Sequence, residues 1–348
     1  MVAPNHFENI ELDPKKSDPC SFTFYHMNDI LIIHLGAGNH SSDFSSQYKS
    51  LLRRSLKQDN LIEASKILED SSLTNTGYGS SLNILGKVEC DASFVINTKV
   101  ENKRRIGSLS GIDSKHPIST LFDTFTFIED IYKNDQHELS IPVSLSYPSL
   151  KGILPKQNDS INLISEKSQR IYEAYKEKVF EGRIEELKHI ISDTIGLIRI
   201  VDGNTTIATS SGGNFFKLPG RIGCAAIIGA AIDSINYEDC EISCMCSGNG
   251  EQIVKSMLAH EIANKIRNIP SDEYGKCLQE IVYKHSDKFY GGFIVATTSP
   301  GKIQILYGHT TESFHFGYRV NDSTRVVLSY SERQGRFTFG EYNHRLSL

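Results

Sequence analysis

The chain has no cysteine pattern that would define a framework. Its seven cysteines are odd in number and irregularly spaced. Cys244-Met245-Cys246 is too tight for a Cys-x-x-Cys zinc knuckle, and no His pair accompanies it. Such thiols read as reduced and mostly buried in an intracellular protein. Long apolar runs are also missing, and none reaches the ~18 residues a membrane helix needs. Met1 to Ile10 have neither a basic stretch nor an apolar core, which argues against a signal peptide. Positive charge is not in excess. The net charge of −5 gives no footprint for nucleic acid. No Gly-x-Gly-x-x-Gly phosphate fingerprint occurs, and nothing calls for a cofactor. What is present suits a soluble globular chain, cytoplasmic or nuclear. Lys103-Arg104-Arg105 is too short to decide between the two. With 39% hydrophobic residues in 348, one large or two ordinary domains can bury a full core.

Residues 1–28 are polar, with Asp13-Pro14 and Asp18-Pro19, and read as a loosely ordered arm before a single domain over 29–348. Ile30 to Ile33 is a short apolar run, a buried strand, feeding His34-Leu35-Gly36-Ala37-Gly38. Two helices follow by spacing, through Phe44 to Ser55 and Leu61 to Leu68. A loop rich in Gly, Ser and Thr, Leu68 to Ser80, leads to strands at Glu89–Ile96 and Ile106–Gly111. Ile118–Ile131 is helical and Leu139–Tyr147 alternates as a strand. Residues 148–193 read as a linker whose later part, Ile161 to Ile191, keeps helix period with a slip near Gly182. Further on, Ala225–Ile232 reads as a small-residue strand and Glu241–Cys246 as another. Ile253 to Ile262 is an amphipathic helix and 273–285 a second. Strands follow at Gly291–Thr297 and Lys302–Tyr307, with two last ones through Tyr318 and Thr324–Tyr330. Strands with helices between them predict an α/β fold of two sheets face to face with helices outside.

The chemistry concentrates near the middle. A strand begins without a loop after Asp193-Thr194, with Ile195, Leu197, Ile198, Ile200 and Val201. Asp202-Gly203-Asn204 turns it back as a hairpin into Thr205 to Ser211. Gly212-Gly213 and Pro219-Gly220-Arg221-Ile222-Gly223 follow. By itself Asp-Thr is an ordinary pair opening a buried strand.

Asp193-Thr194-Ile195-Gly196, Ser210-Ser211-Gly212-Gly213 and Pro219 to Gly223, taken together, resemble the junction of the threonine-nucleophile asparaginase family of N-terminal nucleophile hydrolases. The His34–Gly38 run, the Leu68–Ser80 loop, Glu89-Cys90-Asp91-Ala92-Ser93 and His309-Thr310-Thr311-Glu312-Ser313 bring the match closest to its threonine aspartase (taspase) branch. The resemblance covers about residues 30–335. It implies a four-layer αββα sandwich made as a precursor and cut at Asp193–Thr194 into 1–193 and 194–348. The fragments would stay associated and pair again as a dimer of αβ units.

A threonine hydroxyl needs a base, and a newly freed α-amino group with pKa near ~8 can be one. The resemblance makes Thr194 the nucleophile and Ser211 its hydrogen-bond partner. It makes Ser247 and Gly248 the oxyanion donors, and Arg221 with Gly250 the substrate-binding residues. It also implies a sodium loop at Leu68, Glu69, Leu73, Asn75 and Gly77, though Glu69 reads equally as a solvated charge.

One departure is informative. The asparaginase branch follows its arginine motif with Asp, which holds a free substrate ammonium. This chain has Cys224. An internal aspartyl residue carries no such ammonium, and its carboxylate can still pair with Arg221. The sequence therefore favours a threonine-type endopeptidase acting on proteins with internal Asp. The alternatives are an isoaspartyl peptidase or L-asparaginase, and an inactive member that binds partners.

Overall fold

The computed structural model describes residues 28–99, 103–133, 140–155, 163–182 and 193–347. The polar arm and parts of the linker, including 183–192, lie outside the described residues. Strands in chain order are β1 (Asp29–Gly38), β2 (Cys90–Thr98), β3 (Lys103–Ile112), β4 (Ser144–Ser146), β5 (Ile195–Val201), β6 (Asn204–Ser211), β7 (Ile232–Asn236), β8 (Glu241–Gly248), β9 (Gly291–Ser299), β10 (Lys302–His309), β11 (Ser313–Val320), β12 (Ser323–Tyr330) and β13 (Thr338–Arg345). Helices are α1 (Ser45–Leu56), α2 (Leu61–Glu69), α3 (Pro117–Lys133), α4 (Tyr147–Leu150), α5 (Glu166–Phe180), α6 (Gly250–Ser256), α7 (Leu258–Ile266) and α8 (Tyr274–His285).

The strands form two sheets, ordered β12-β11-β1-β5-β6-β2-β3-β4 and β13-β10-β9-β8-β7. The period-2 geometry of a strand explains the layers. Along β1, Ile30 and Ile32 join Ile198, Ile200, Met245, Ile294 and Phe316 between the sheets. Leu31, Ile33 and Leu35 turn the other way, onto Leu52, Leu68 and Leu121 of α1, α2 and α3. On the outside of the second sheet, Cys244, Cys246 and Val295 meet Ile262, Leu278 and Ile281 of α7 and α8. The result is the expected αββα sandwich. Strands buried on both faces are why Ile30–Ile33 reads as an unbroken apolar run. At the tip of the β5–β6 hairpin Asp202 and Gly203 both take positive φ, 49° and 75°, which is what a two-residue Asp-Gly turn supplies.

Several boundaries differ from the sequence reading. Ala225–Ile232 is not one strand. Cys224–Ala226 is a single helical turn, Gly229 takes φ +90°, and extended backbone begins at Ile232. The helix through Ile253–Ile262 breaks in two at Met257, which is left-handed at φ 48°. The Leu139–Tyr147 strand shrinks to Ser144–Ser146, and Tyr147–Leu150 form a helical turn. In the linker, α5 ends just before Gly182, whose φ of +77° stops the helix. Strand β13, beyond the span of the resemblance, was not foreseen. Among the described residues no helix is long and apolar enough to cross a membrane.

Candidate active site

Asp193 and Thr194 sit at the start of β5, which lies inside the larger sheet between β1 and β6. Both are buried, 3% and 2% exposed, so this peptide bond is reached only by its own neighbours. The Thr194 N–H donates to Ser247 Oγ at 3.1 Å, and the Ala37 N–H donates to the same oxygen at 3.0 Å. Ser247, at the end of β8, thus ties the second sheet to the junction. Ser211, the last residue of β6, donates to the Asp193 carbonyl oxygen at 3.4 Å and accepts from Gly213 N at 3.1 Å. A donor on the carbonyl and an acceptor on the nitrogen polarise this amide from both ends.

Small residues make the approach geometry possible. Gly36 has φ +115°, and a Cβ there would overlap the Asp193 side chain. Gly196 faces His34, which leaves no room for a Cβ. His34 is fully buried beside the Thr194 backbone, and burial pulls its pKa down to about 3, so the ring is neutral.

A narrow cleft opens on the side-chain face of Thr194, walled by Asp91, Ser211, Arg221, Cys224, Gly248 and Gly250. Wider surface clefts lie elsewhere, one of them by Lys302 and Glu341, and hold none of these groups. Arg221 is framed by glycines. A Cβ on Gly213 or Gly223 would come within 2.8 or 2.6 Å of Nη1, and one on Gly250 within 2.9 Å of Nη2. The guanidinium pairs with Glu251, Nε and Nη2 reaching Oε1 at 3.1 and 2.6 Å. Burial works upward on the Glu251 carboxyl, but Arg221 outweighs it and holds the group below its ordinary range. Asp91 accepts from Gly223 N at 2.6 Å and from Gly111 N at 3.3 Å. Burial raises its pKa above the usual carboxylate value against the pull of Lys217. Burial likewise pushes the Cys224 thiol up to about 11, so it stays protonated beside Arg221 and the Thr194 side chain.

The structure therefore brings Thr194, Ser211, Ser247, Gly248, Arg221 and Gly250 into one place. Two details differ from the expected roles. Here the Ser247 hydroxyl accepts from the Thr194 nitrogen, and Ser211 is the side chain on the Asp193 carbonyl. Gly250 contributes the space that lets Arg221 reach the cleft. The Leu68, Glu69, Leu73, Asn75 and Gly77 loop lies at the end of α2, and much of it is engaged by the protein. Leu68 O accepts from Thr74 Oγ1 and Ser71 N, Asn75 O from Gly212 N, and Gly77 O from Ser80 N. Asn75 braces the site, its Nδ2 donating to Gly213 O at 2.8 Å. Glu69 is buried rather than solvated, against the surface-charge reading.

Sequence reasoning missed Asp91, Glu251 and His40 as neighbours of the site. Asp91 lies in a motif that carried the resemblance, and its place in the cleft beside Arg221, held by the Gly223 N–H, is a long-range contact that no spacing announces. Residues 41–328 match the model of the asparaginase family. A plant-type L-asparaginase of Pyrococcus horikoshii is 29% identical over 218 residues, 62% of this chain and 68% of its own. An isoaspartyl peptidase/L-asparaginase of Bos taurus is 28% identical over 332 residues, 87% of this chain and 100% of its own. A probable isoaspartyl peptidase/L-asparaginase 2 of Arabidopsis thaliana is 27% identical over 334 residues, 85% and 97% respectively. The narrower resemblance to the threonine aspartase branch is not carried by these relatives, whose names speak for asparaginases and isoaspartyl peptidases.

Proposed function

Because the chain belongs to the asparaginase family of N-terminal nucleophile hydrolases, we propose that it is a self-cleaving amide hydrolase whose nucleophile is Thr194, and that the processed enzyme cuts polypeptides after Asp. The observation that carries the first part is the junction itself, an amide with Ser211 on its carbonyl, Ser247 on its nitrogen and the nucleophile one residue away. Thr194 Oγ1 adds to the Asp193 carbonyl carbon. The C–N bond breaks, and the hydroxyl proton ends on the departing nitrogen, leaving an ester and a free amine. Water then hydrolyses the ester to the Asp193 acid and regenerates the Thr194 hydroxyl. Proximity supplies most of the advantage over water. The freed amine, held by Ser247, is placed to act as base for Thr194 in turnover.

The second part rests on the charge of the cleft. Arg221 offers a fork to a substrate carboxylate, which would replace Glu251. Position 224 is a protonated thiol, so no anion stands there for a free ammonium. Asp91 is a carboxyl group in the wall, but both its oxygens already accept from backbone N–H groups. An internal Asp, with one carboxylate and an acylated nitrogen, suits this balance. The names of the relatives favour a second reading, isoaspartyl peptidase or L-asparaginase, in which Asp91 or Glu251 receives the ammonium. Processed protein assayed on a peptide with internal Asp, its Asn twin and L-asparagine separates the two. Cleavage of the Asp peptide alone is expected, and faster hydrolysis of L-asparagine would overturn the endopeptidase reading.

A further inference from the structure

The geometry points to His40, anchored by Ser313, as the residue that grips the Asp193 side chain and positions the Asp193–Thr194 bond for self-cleavage. This rests on the reading of Thr194 as a self-cleaving nucleophile and assigns a residue to the first cut that the cleft around Arg221 does not supply.

The hydrogen bonds around Ser313 fix the direction of the contact. Ser313 Oγ accepts from the His40 backbone N at 2.8 Å, lies 2.7 Å from His40 Nδ1, and donates to Gly38 O at 3.0 Å. A hydroxyl has one proton, and here it goes to Gly38, so Nδ1 must be the donor to Ser313. That leaves His40 Nε2 facing Asp193 Oδ2 at 3.1 Å, with side chains 1% and 5% exposed. The contact has ion-pair length without hydrogen-bond alignment. His40 Nε2 has no other hydrogen-bond partner among the described residues, so this buried nitrogen is left facing the Asp193 carboxyl group alone. The ring is held on both sides as well. His315 stacks on it at 4.3 Å between centroids, and Tyr48 meets it edge-on at 5.2 Å. Burial, the largest cause, and the neighbouring His40 together pull His315 down to about 3, so it packs as a neutral ring.

This gives the His309–Ser313 stretch its use. Ser313 anchors His40, Glu312 accepts from Tyr290 OH at 2.8 Å, and Thr310 donates to Phe289 O at 2.6 Å, closing that side of the junction. Asp193 is therefore held by His40 and Ser313, which are not among the residues that line the Arg221 cleft. Holding its Cβ in the space left by Gly36 fixes where its carbonyl carbon faces the nucleophile.

The test follows conversion of the full-length chain into two fragments by intact mass over time. His40→Ala should slow splitting at 193/194 by roughly 10- to 100-fold, the scale of a small misplacement of reacting atoms. Added imidazole should restore part of that rate and leave Thr194→Ala uncut. The Asp193→Ala and His40→Ala/Asp193→Ala chains should split at similar rates, because the second change removes a contact already lost. Should His40→Ala fail to fold, Ser313→Ala keeps the ring, removes its anchor and should slow splitting in the same sense. A His40→Ala or Ser313→Ala chain splitting at the unsubstituted rate, or losses that multiply in the double variant, would overturn the assignment while leaving self-cleavage intact. An unsubstituted chain that never splits, or a Thr194→Ala chain that does, would instead remove the reading beneath it.

Discussion

Thr194 has two walls of opposite character. On the side of Asp193 the recognising groups are closed in. His40 and Ser313 are buried, and their hydrogen bonds end within the protein. On the side of the cleft Arg221 keeps 18% of its side chain exposed, and its partner Glu251 keeps 53%. A recogniser of one intramolecular carboxylate never has to admit anything, so it can be dry and fixed. A recogniser of substrate has to be reached, and it holds a counter-ion that can be displaced. The two walls share Thr194, Ser211 and Ser247, which leads us to assign one nucleophile to two reactions with separate specificities.

The most severe way to break this comparison is to remove what the walls share. Thr194→Ala should leave a single intact chain with no hydrolytic activity, because nucleophile and prospective base are both lost. Thr194→Ser should retain part of each. Mass analysis checks the first and a peptide assay the second. An alanine variant still cut at the same bond would point to an outside protease.

Next in size is the loss of Arg221, which should act on one wall only. Arg221→Ala is expected to lower kcat/KM for an Asp peptide by ~100-fold or more and to erase the Asp-over-Asn preference. Self-splitting should change little. Arg221→Lys should not restore the preference, since an ammonium lacks the planar fork. Equal losses in splitting and turnover would merge the two walls into one.

A smaller effect is expected at Cys224. Cys224→Asp places an anion beside Arg221 where the asparaginase branch has one. Relative turnover should move toward L-asparagine, by about 10-fold if one charge-assisted contact to the ammonium is gained. No change in the ratio of the two substrates would remove position 224 from specificity.

The fold was readable because its signals are local. Ile30–Ile33, the Asp202-Gly203 turn and the spacing through α1, α2 and α8 each state their own structure. Where backbone departs from that, the cause is tertiary. Gly229, just before β7, and Met257, between α6 and α7, take positive φ where these two segments pack against each other, and no periodicity encodes that. The site divides the same way. Thr194, Ser211, Arg221 and Ser247 lie in motifs that a resemblance can carry. His40 and Asp91 owe their places to pairing, His40 to Ser313, 273 residues along, and Asp91 to Gly223, 132 along. His309-Thr310-Thr311-Glu312-Ser313 stood out as a motif, but its use became visible only once Ser313 was seen under His40.

The smallest predicted effect concerns what backs each wall. Behind the Asp193 side are His34, His309 and His315, all buried, with pKa values pulled down to about 3, 4 and 3, first by burial. Behind the cleft, Ser210, next to Ser211, donates to Glu69 Oε1 at 2.9 Å. Burial raises the Glu69 pKa to about 8 against its hydrogen bonds from Ile118 N and Ser210. The signs are opposite. A histidine lowered in the folded state binds its proton more readily when unfolded, so its contribution is present above its ordinary value and is lost as pH falls toward 3. A carboxyl group raised in the folded state contributes fully below its ordinary value, 4.5, and loses that contribution as pH rises toward 8. Each fully shifted pH unit is worth roughly 1.4 kcal/mol. Glu69→Gln keeps the acceptor oxygen for Ile118 N and Ser210 Oγ and cannot ionise. It should therefore flatten the decline in melting temperature as pH rises toward 8 and leave in place the acid-side decline, which begins as pH falls below the ordinary histidine value of 6.5. At roughly 2–4 °C per kcal/mol for ordinary domains, and less for a longer chain, the difference at pH 8 should be a few degrees. Melting curves at matched ionic strength across pH 4–9 check this. An alkaline decline that persists unchanged in the variant would mean that Glu69 does not hold its proton behind Ser210.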